Sequence, residues 1–143
     1  MSSDRNKPKK HINFTKNEIN NYLKTFKRHI KNDNYSISKN RKENMDFIED
    51  YKINTKKEKN IFLHLTYKDF CYAVDNNKPK YSHEILYVFC KQEKLDYWGE
   101  IKLVNIYIKI NMTEIKNKTF AFVVSFHEKN KPISYLFSNK GYF

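Results

Sequence analysis

The spacing of apolar residues along the chain changes near residue 70. Before that point apolar residues recur every three or four positions, which is typical of the buried face of a helix. After it they alternate with polar residues, as in a β-strand. Helices followed by strands predict an α+β domain, with N-terminal helices packed on one face of a mainly antiparallel sheet.

The first predicted helix has clear signals at both ends. Thr15 and Glu18 form a capping pattern at its start, and the polar run 32–34 ends it. Its apolar stripe is expected to face the core and consists of Ile19, Tyr22, Leu23, Phe26 and Ile30.

Two shorter helices are predicted next. An extended piece at 35–38 precedes the second helix, which begins near Asn40, and Thr55 with Glu58 predicts the start of the third. A single capped turn is expected at 66–69. The side chains expected to point inward are Met45 and Ile48 on the second helix and Ile61, Phe62 and Leu65 on the third.

The second half of the chain predicts four strands, of which the last three form an antiparallel meander because their connectors are short. The strands are expected over 70–74, 83–91, 101–111 and 119–128. Residues 1–14 are polar and basic and are predicted to be a disordered arm. Residues 15–143 are predicted to form one domain.

Strand alternation places several polar side chains on one open face. Tyr107 and Lys109 lie opposite an apolar row on the third strand, and Ser125 and His127 lie opposite an apolar row on the fourth. The apolar rows, which should both face the helices, are Val104, Ile106, Ile108 and Ile110, and Phe120, Phe122, Val124 and Phe126.

The charge of the chain indicates a polyanionic partner. There are 28 Lys and Arg residues against 16 Asp and Glu, a net charge of +12, together with 11 Tyr, 11 Phe and 1 Trp. No amphipathic helix has a purely basic face, so nucleic acid is favoured over a membrane surface. Codon bias toward Lys, Asn, Ile and Tyr remains an alternative origin of this composition.

Several other classes lack their sequence signals. Cys71 and Cys90 lie in apolar segments without a zinc-ligand spacing, and they are expected to be reduced core thiols. The histidines and acidic residues form no metal motif, and no nucleophile elbow occurs. We therefore expect no metal and no cofactor. The absence of a signal segment or apolar span predicts a cytoplasmic location.

The polar residues of the open face suit phosphodiester chemistry without a metal. A histidine can transfer a proton near neutrality, a lysine can offset charge on a phosphate, and a tyrosine can stack on a base. An exposed sheet face that is merely polar would show the same spacing. Spacing alone leaves both interpretations open.

Four segments in order resemble the MqsR family of bacterial toxins, the motility quorum-sensing regulators. They are "LTYKDF" at 65–70, "HEILYVF" at 83–89, "IYIKI" at 106–110 and "VVSFHEK" at 123–129. The family shows L-S-x-x-D-F, H-x-I-W-Q-D-V-Y, V-Y-L-K-I and V-S-F-K-E-K at the similar places. The resemblance spans about residues 15–129, and the helical half matches only in layout.

The resemblance implies a RelE-like domain that acts as the toxin of a type II toxin-antitoxin pair. Such a protein would be a metal-independent mRNA endoribonuclease that uses the 2′-hydroxyl of the RNA as nucleophile. Its expected partners are mRNA, free or ribosome-bound, and a cognate antitoxin, with promoter DNA bound only through the antitoxin. The expected outcome in a cell is growth inhibition.

The site residues carry over unevenly. The family's tyrosine and lysine are matched by Tyr107 and Lys109, whereas its later lysine is replaced by His127 and an earlier lysine by Tyr72. The family's glutamine falls on Tyr87 or, with a slip of one residue, on Leu86. Tyr87 is preferred because a polar site residue should not share a face with Leu86 and Val88.

The leading hypothesis is an endoribonuclease with His127 as general acid or base and with Tyr107 and Lys109 acting on the phosphate. The candidates for RNA contact are Tyr72, Tyr87, His83 and Lys91. One alternative is a non-catalytic nucleic-acid-binding module of the same fold. Another is a basic protein-binding inhibitor of phage origin. The segment after residue 129 is expected either to add a strand or to cover the site.

Overall fold

The computed structural model describes residues 9–81 and 83–138, and it has an α+β fold. Its three helices are α1 (Lys16–Lys31), α2 (Lys42–Asp50) and α3 (Thr55–Leu63). The predicted cap of α1 is present, since the backbone N–H of Glu18 donates to Thr15 Oγ1 and that of Thr15 donates to Glu18 Oε1. The capped turn at Tyr67–Asp69 is also present.

The sheet has six strands in the order β1-β3-β4-β5-β6-β2. The predicted meander of the last three strands is confirmed, and only the pairing of β2 with β6 is parallel. The strands are β1 (Lys10–His11), β2 (Tyr35–Ile37), β3 (Phe70–Asp75), β4 (Ile85–Tyr97), β5 (Glu100–Ile115) and β6 (Lys118–Glu128).

The predicted disordered arm is wrong for residues 9–14. Lys10 and His11 pair with Val74 and Ala73 of β3, and the ring of Phe14 packs edge-on against Phe70 at 5.4 Å. These contacts hold the segment at the edge of the sheet. Residues 1–8 of the predicted arm lie outside the described part of the chain.

One core lies between the helices and one face of the sheet. The predicted stripe of α1 is buried there, and Ile61, Phe62 and Leu65 are buried as predicted. The third helix is capped by Asn54, one residue before the predicted Thr55: Asn54 Oδ1 accepts a bond of 2.9 Å from the backbone N–H of Lys57. An asparagine is as good a cap as a threonine, so the sequence does carry a capping residue, one position before the predicted one.

The inward face of α2 was predicted correctly only in part: Ile48 packs against the core as expected, but Met45 does not. Met45 is 39% exposed, whereas Asn44 and Phe47 are buried. Asn44 is tolerated there because its side chain donates to the carbonyls of Ser38 and Val124 and accepts from the backbone N–H of Phe126. A buried amide that completes its hydrogen bonds avoids the cost of desolvation, and hydrophobic periodicity does not register it.

A β-bulge in β6 overturns part of the predicted strand alternation. Ser125 pairs with Lys109, but the next pair is Val123 with Ile110, which leaves Val124 as an extra residue. Ala121 and Val123 therefore join Phe126 in the helix-side core. The extra residue turns Phe120, Phe122 and Val124 to the opposite face, contrary to the prediction that these three face the helices with Phe126.

The face of the sheet away from the helices, the site face, is partly covered by the chain that follows β6. Ile133 and Tyr135 are buried against Tyr72 and Tyr107. The backbone N–H of Leu136 donates to the carbonyl of Phe70 at 3.1 Å and anchors this segment. The segment was predicted either to add a strand or to cover the site, and its described residues cover the sheet. Residues 139–143 lie outside the described part.

Candidate functional site

The site face brings together the four polar residues that the sequence placed on one side of the last hairpin. Tyr107 pairs with His127 across β5 and β6, and their rings stack with centroids 5.4 Å apart. Lys109 pairs with Ser125 in the neighbouring row. Tyr107 is 4% exposed and His127 is 6% exposed, so the pair is buried rather than open.

The imidazole of His127 is directed toward helix α2. Its Nδ1 lies 2.9 Å from the carbonyl oxygen of Glu128, and since a carbonyl only accepts, Nδ1 carries the hydrogen. Nε2 lies 3.8 Å from Oε2 of Glu43. The second ring nitrogen thus lies beside a carboxylate, in a hollow also lined by Asp46 and Asp50.

The phenol of Tyr107 is held in its protonated form. Burial, and then the neighbouring Tyr72, raises the pKa of Tyr107 far above its ordinary value, and the two hydroxyls share a hydrogen bond. A phenol in this state can donate or accept a hydrogen bond but does not act as a base near neutrality. Tyr107 is therefore suited to orient a bound group.

Four cationic side chains gather around these two tyrosines, and we call them the cation cluster: Lys10, Arg41, Lys109 and Lys131. Burial, and then the charges of Arg41 and Lys131, lowers the pKa of Lys109 to about 8. Burial, and then Lys10, lowers the pKa of Lys131. Because these charges repel one another, an anion bound among them would be strongly stabilised.

Aromatic rings help to hold the cluster in place. The Nζ of Lys10 lies 4.5 Å from the ring centroid of Tyr72. The Nζ atoms of Lys131 and Lys109 lie 5.3 Å and 6.0 Å from the centroid of Tyr107. Cation–π attraction offsets part of the repulsion without neutralising the charges.

A cleft of about 650 Å³ runs along the site face from this cluster. Arg41 and Lys109 line one part of it, and half-buried Phe120, Phe122 and Val124 of the bulged strand form an apolar wall. Its other lining residues are Ser36, Val74, Asp75, Asn76, Asn77, Lys78, Tyr81, Glu84, Leu86, Asn111, Thr113 and Glu114.

Glu84 accepts three hydrogen bonds from residues that line the cleft. Its Oε2 accepts a bond of 2.7 Å from Thr113 Oγ1. Its Oε1 accepts bonds of 3.1 Å from Asn111 Nδ2 and 3.4 Å from Asn76 Nδ2. Asn111 is 7% exposed, and its Oδ1 accepts no hydrogen bond from the described residues. The cleft thus offers acceptors at Glu84 and Asn111 together with the cations Arg41, Lys109 and Lys78.

Two of the predicted RNA-contact residues lie on the wrong face of the sheet. Tyr87 stacks on Tyr22 of α1 with centroids 3.7 Å apart, and Lys91 forms an ion pair of 3.0 Å with Glu93 on the same helix-side face. The preference for Tyr87 over Leu86 is thereby corrected, since Leu86 lines the cleft. The prediction assumed that the polar residue of the two would face the site. Tyr87 instead faces the helices, because its ring packs on Tyr22 in the core.

Of the other two predicted RNA-contact residues, one lies on the site face and one does not line the cleft. Tyr72 lies on the site face beside Tyr107, as predicted. His83 is exposed in the loop before β4 and is not among the residues that line the cleft.

Sequence reasoning missed Arg41, Lys131, Lys10 and Glu84. Lys10 lies in the segment predicted to be disordered, and Lys131 lies beyond the end of the resemblance. Arg41 directly precedes α2 and has no signal that sets it apart from other basic residues. Glu84 follows His83 in the quoted segment "HEILYVF", where an acidic residue beside a strand is unremarkable. Only the tertiary contacts bring these residues together.

No known protein family, curated protein or solved structure matches this chain. None of the described helices has the length and apolar content needed to cross a bilayer.

Proposed function

We propose that this protein is a metal-independent endoribonuclease that binds RNA on the site face. The observation that carries the proposal is Lys109, which lines a cleft with Arg41, has its Nζ 6.0 Å from the ring centroid of Tyr107, and has a pKa lowered to about 8. A net charge of +12 supports a polyanionic substrate. The ordered resemblance to the MqsR toxins supports the same chemistry and a RelE-like fold.

In the proposed reaction the 2′-oxygen of the RNA forms a bond to phosphorus and the bond from phosphorus to the 5′-oxygen breaks. The products are a 2′,3′-cyclic phosphate and a 5′-hydroxyl. About a tenth of the Lys109 amines are neutral at pH 7, and this form accepts the proton of the 2′-hydroxyl. The ammonium of Lys131 donates a proton to the leaving 5′-oxygen, and Arg41 stabilises the charge on the phosphate.

His127 receives a different role from the one that its sequence position predicts. It is 6% exposed and directed at Glu43, whereas Lys109 lines the cleft. We assign proton transfer to Lys109 and treat His127 as a positioning residue that supports the ring of Tyr107. The activity of His127→Ala compared with that of Lys109→Ala distinguishes the two assignments.

The biological setting of the proposal is a toxin-antitoxin pair in the cytoplasm. A second chain, the antitoxin, would neutralise the protein and would account for any binding to promoter DNA. The cation cluster is a surface that an acidic antitoxin segment would cover, because such a segment would satisfy the same charges as RNA.

The test is incubation of the pure protein with end-labelled RNA in the presence of EDTA. Wild type should generate 5′-hydroxyl and 2′,3′-cyclic phosphate ends, and Lys109→Ala should lose at least about 100-fold in rate. Lys118→Ala is the matched control, since Lys118 is an exposed lysine at the far end of the same hairpin. His127→Ala should reduce the rate by less than tenfold. Equal rates for Lys109→Ala and wild type would overturn the assignment.

A second candidate function is a nucleic-acid-binding module that does not cleave. The burial of Tyr107 against Ile133 and Tyr135, and that of His127 beside α2, favours it, because a substrate has restricted access to that pair. Salt-sensitive retention of RNA with no new 5′-hydroxyl ends would support the module over the enzyme.

A further inference from the structure

The β-bulge at Val124 turns three more apolar side chains, those of Phe120, Phe122 and Val124, onto the site face beside the polar residues of the cleft. In the register after the bulge, Phe122 pairs with Asn111 and Phe120 pairs with Thr113. Both aromatic rings line the cleft and are half-buried. Bulges near functional sites commonly redirect side chains in this way, and aromatic rings that line a cleft are suited to stacking on a planar ligand.

Three polar residues of the cleft lie along strand β5, and others line it from neighbouring segments, Lys78 among them. Lys109, Asn111 and Thr113 occupy successive site-face positions, which are about 7 Å apart on a strand. Lys109 and Arg41 supply positive charge at one position, and Glu84 binds both Asn111 and Thr113 at the next two. The span from Lys109 to Thr113 has the length scale of one nucleotide, with phosphate at the Lys109 end and base at the other.

The acceptors discriminate among the bases. The hydrogen bonds to Glu84 come from neutral groups, and a carboxylate has about four lone-pair sites, so it can accept further bonds, most readily in place of the long contact from Asn76. Two parallel N–H···O bonds to a carboxylate require two adjacent donors. Guanine presents N1–H and N2–H₂ side by side. Adenine and cytosine present an acceptor next to their amino group, and uracil has a single N–H.

We infer that the cleft is a guanine nucleotide subsite. The base stacks on Phe122 and Phe120 with its N1 and N2 edge on Glu84, while the adjoining 3′-phosphate binds Arg41 and Lys109. The ligand is part of the RNA substrate, so this inference rests on the proposed function and specifies which base precedes the reacting phosphate.

Binding of nucleoside 3′-monophosphates to the full chain, measured by titration calorimetry, tests the inference. Guanosine 3′-monophosphate should bind about tenfold more tightly than the adenosine, cytidine and uridine compounds. Glu84→Gln should abolish this preference while phosphate binding persists, because the amide replaces one acceptor with a donor. Phe122→Ala should weaken the binding of all four. Glu49→Gln and Leu103→Ala, which alter exposed residues away from the cleft, should leave binding unchanged.

A second measurement avoids dependence on a variant that fails to fold. Inosine 3′-monophosphate lacks the 2-amino group, and wild type should bind it several-fold more weakly than the guanosine compound. Equal affinity for all four bases, or for inosine and guanosine, would overturn the inference even if the protein cleaves RNA. Preferential guanosine binding without any RNA cleavage would overturn the proposed reaction and leave the subsite in place.

Discussion

The ammonium of Lys109 is partly buried beside Arg41 and Lys131, and its pKa falls to about 8 as a result. The folded state therefore disfavours the charged form of this side chain. Below pH 8 Lys109 is charged in both states, and the full cost to folding is present. Between about pH 8 and its ordinary pKa of 10.5, the unfolded chain binds the proton more than the folded chain does, so stability rises with pH.

Lys109→Met should stabilise the protein while abolishing activity. The substitution keeps the apolar stem and removes the disfavoured charge, and a gain of about 1–2 kcal/mol in the free energy of unfolding is expected at pH 7 after allowance for solvent screening. Urea unfolding measures it. The gain should shrink at pH 9.5, and Lys118→Met should show neither effect. A destabilised Lys109→Met protein would mean that the amine makes a net favourable contact.

Affinity for RNA should decrease as the pH rises through about 8. The phosphate favours the charged amine, and the fraction of charged Lys109 falls from about nine-tenths at pH 7 to about one-tenth at pH 9, which corresponds to a loss of up to about tenfold. Fluorescence anisotropy with a 2′-O-methyl RNA, which is not cleaved, measures binding alone. Lys109→Arg should remove this pH dependence because arginine stays protonated. An unchanged profile in that variant would assign the titration to another group.

At the scale of elements, the contact between helix α2 and the bulge decides which side chains face the cleft. A bulge interrupts the ladder of a strand and leaves backbone groups that need other partners. Asn44 serves this purpose, since it donates to the carbonyl of Val124 at 3.1 Å and accepts from the N–H of Phe126 at 2.9 Å. Asn44 is 0% exposed, so no solvent replaces these bonds.

Asn44→Ala should destabilise the protein by roughly 3 kcal/mol, because it leaves buried backbone donors and acceptors unpaired. Thermal or urea unfolding measures the change. Asn20→Ala, on the exposed side of α1, is the matched control and should change stability by less than about 0.5 kcal/mol. A loss of less than about 1 kcal/mol in Asn44→Ala would show that the bulge is stable without the amide.

The helices and strands illustrate which features the sequence can predict. Caps and apolar stripes are local signals, and they predicted α1 and the hairpin of β5 and β6 closely. The face of α2 was predicted only for Ile48, because Asn44 is buried by partners far along the chain, and a periodicity of apolar residues does not include such a residue. The strand β1 was missed because two residues carry no period.

At the scale of the whole molecule, the net charge of +12 is spread over the chain, but the fold concentrates part of it. Lys10 arrives from the N-terminal edge strand, Arg41 from the start of α2 and Lys131 from the segment after β6. Three distant segments thus add their charges to Lys109 at one place on the sheet. Binding at such a site releases counterions from the RNA and depends on salt.

The salt dependence of RNA binding should show how much each residue of the cation cluster contributes to phosphate contact. Each phosphate contact on a single strand contributes about 0.7 to the slope of log affinity against log salt concentration. Lys131→Gln should reduce the slope by about that amount, and Lys118→Gln should leave it unchanged. Binding of 2′-O-methyl RNA at several salt concentrations measures the slope. An equal reduction in both variants would indicate diffuse attraction rather than a defined phosphate site.

The sequence by itself determined the order of helices and strands, the antiparallel meander and the shared face of Tyr107, Lys109 and His127. These features follow from backbone capping and from strand alternation, which act between neighbours in the chain. Only the tertiary structure decided that Phe122 lines the cleft, because the bulge reverses the alternation within β6. It also decided which charges lie near Lys109, because Arg41 and Lys131 approach the amine through packing of segments that are distant in the chain.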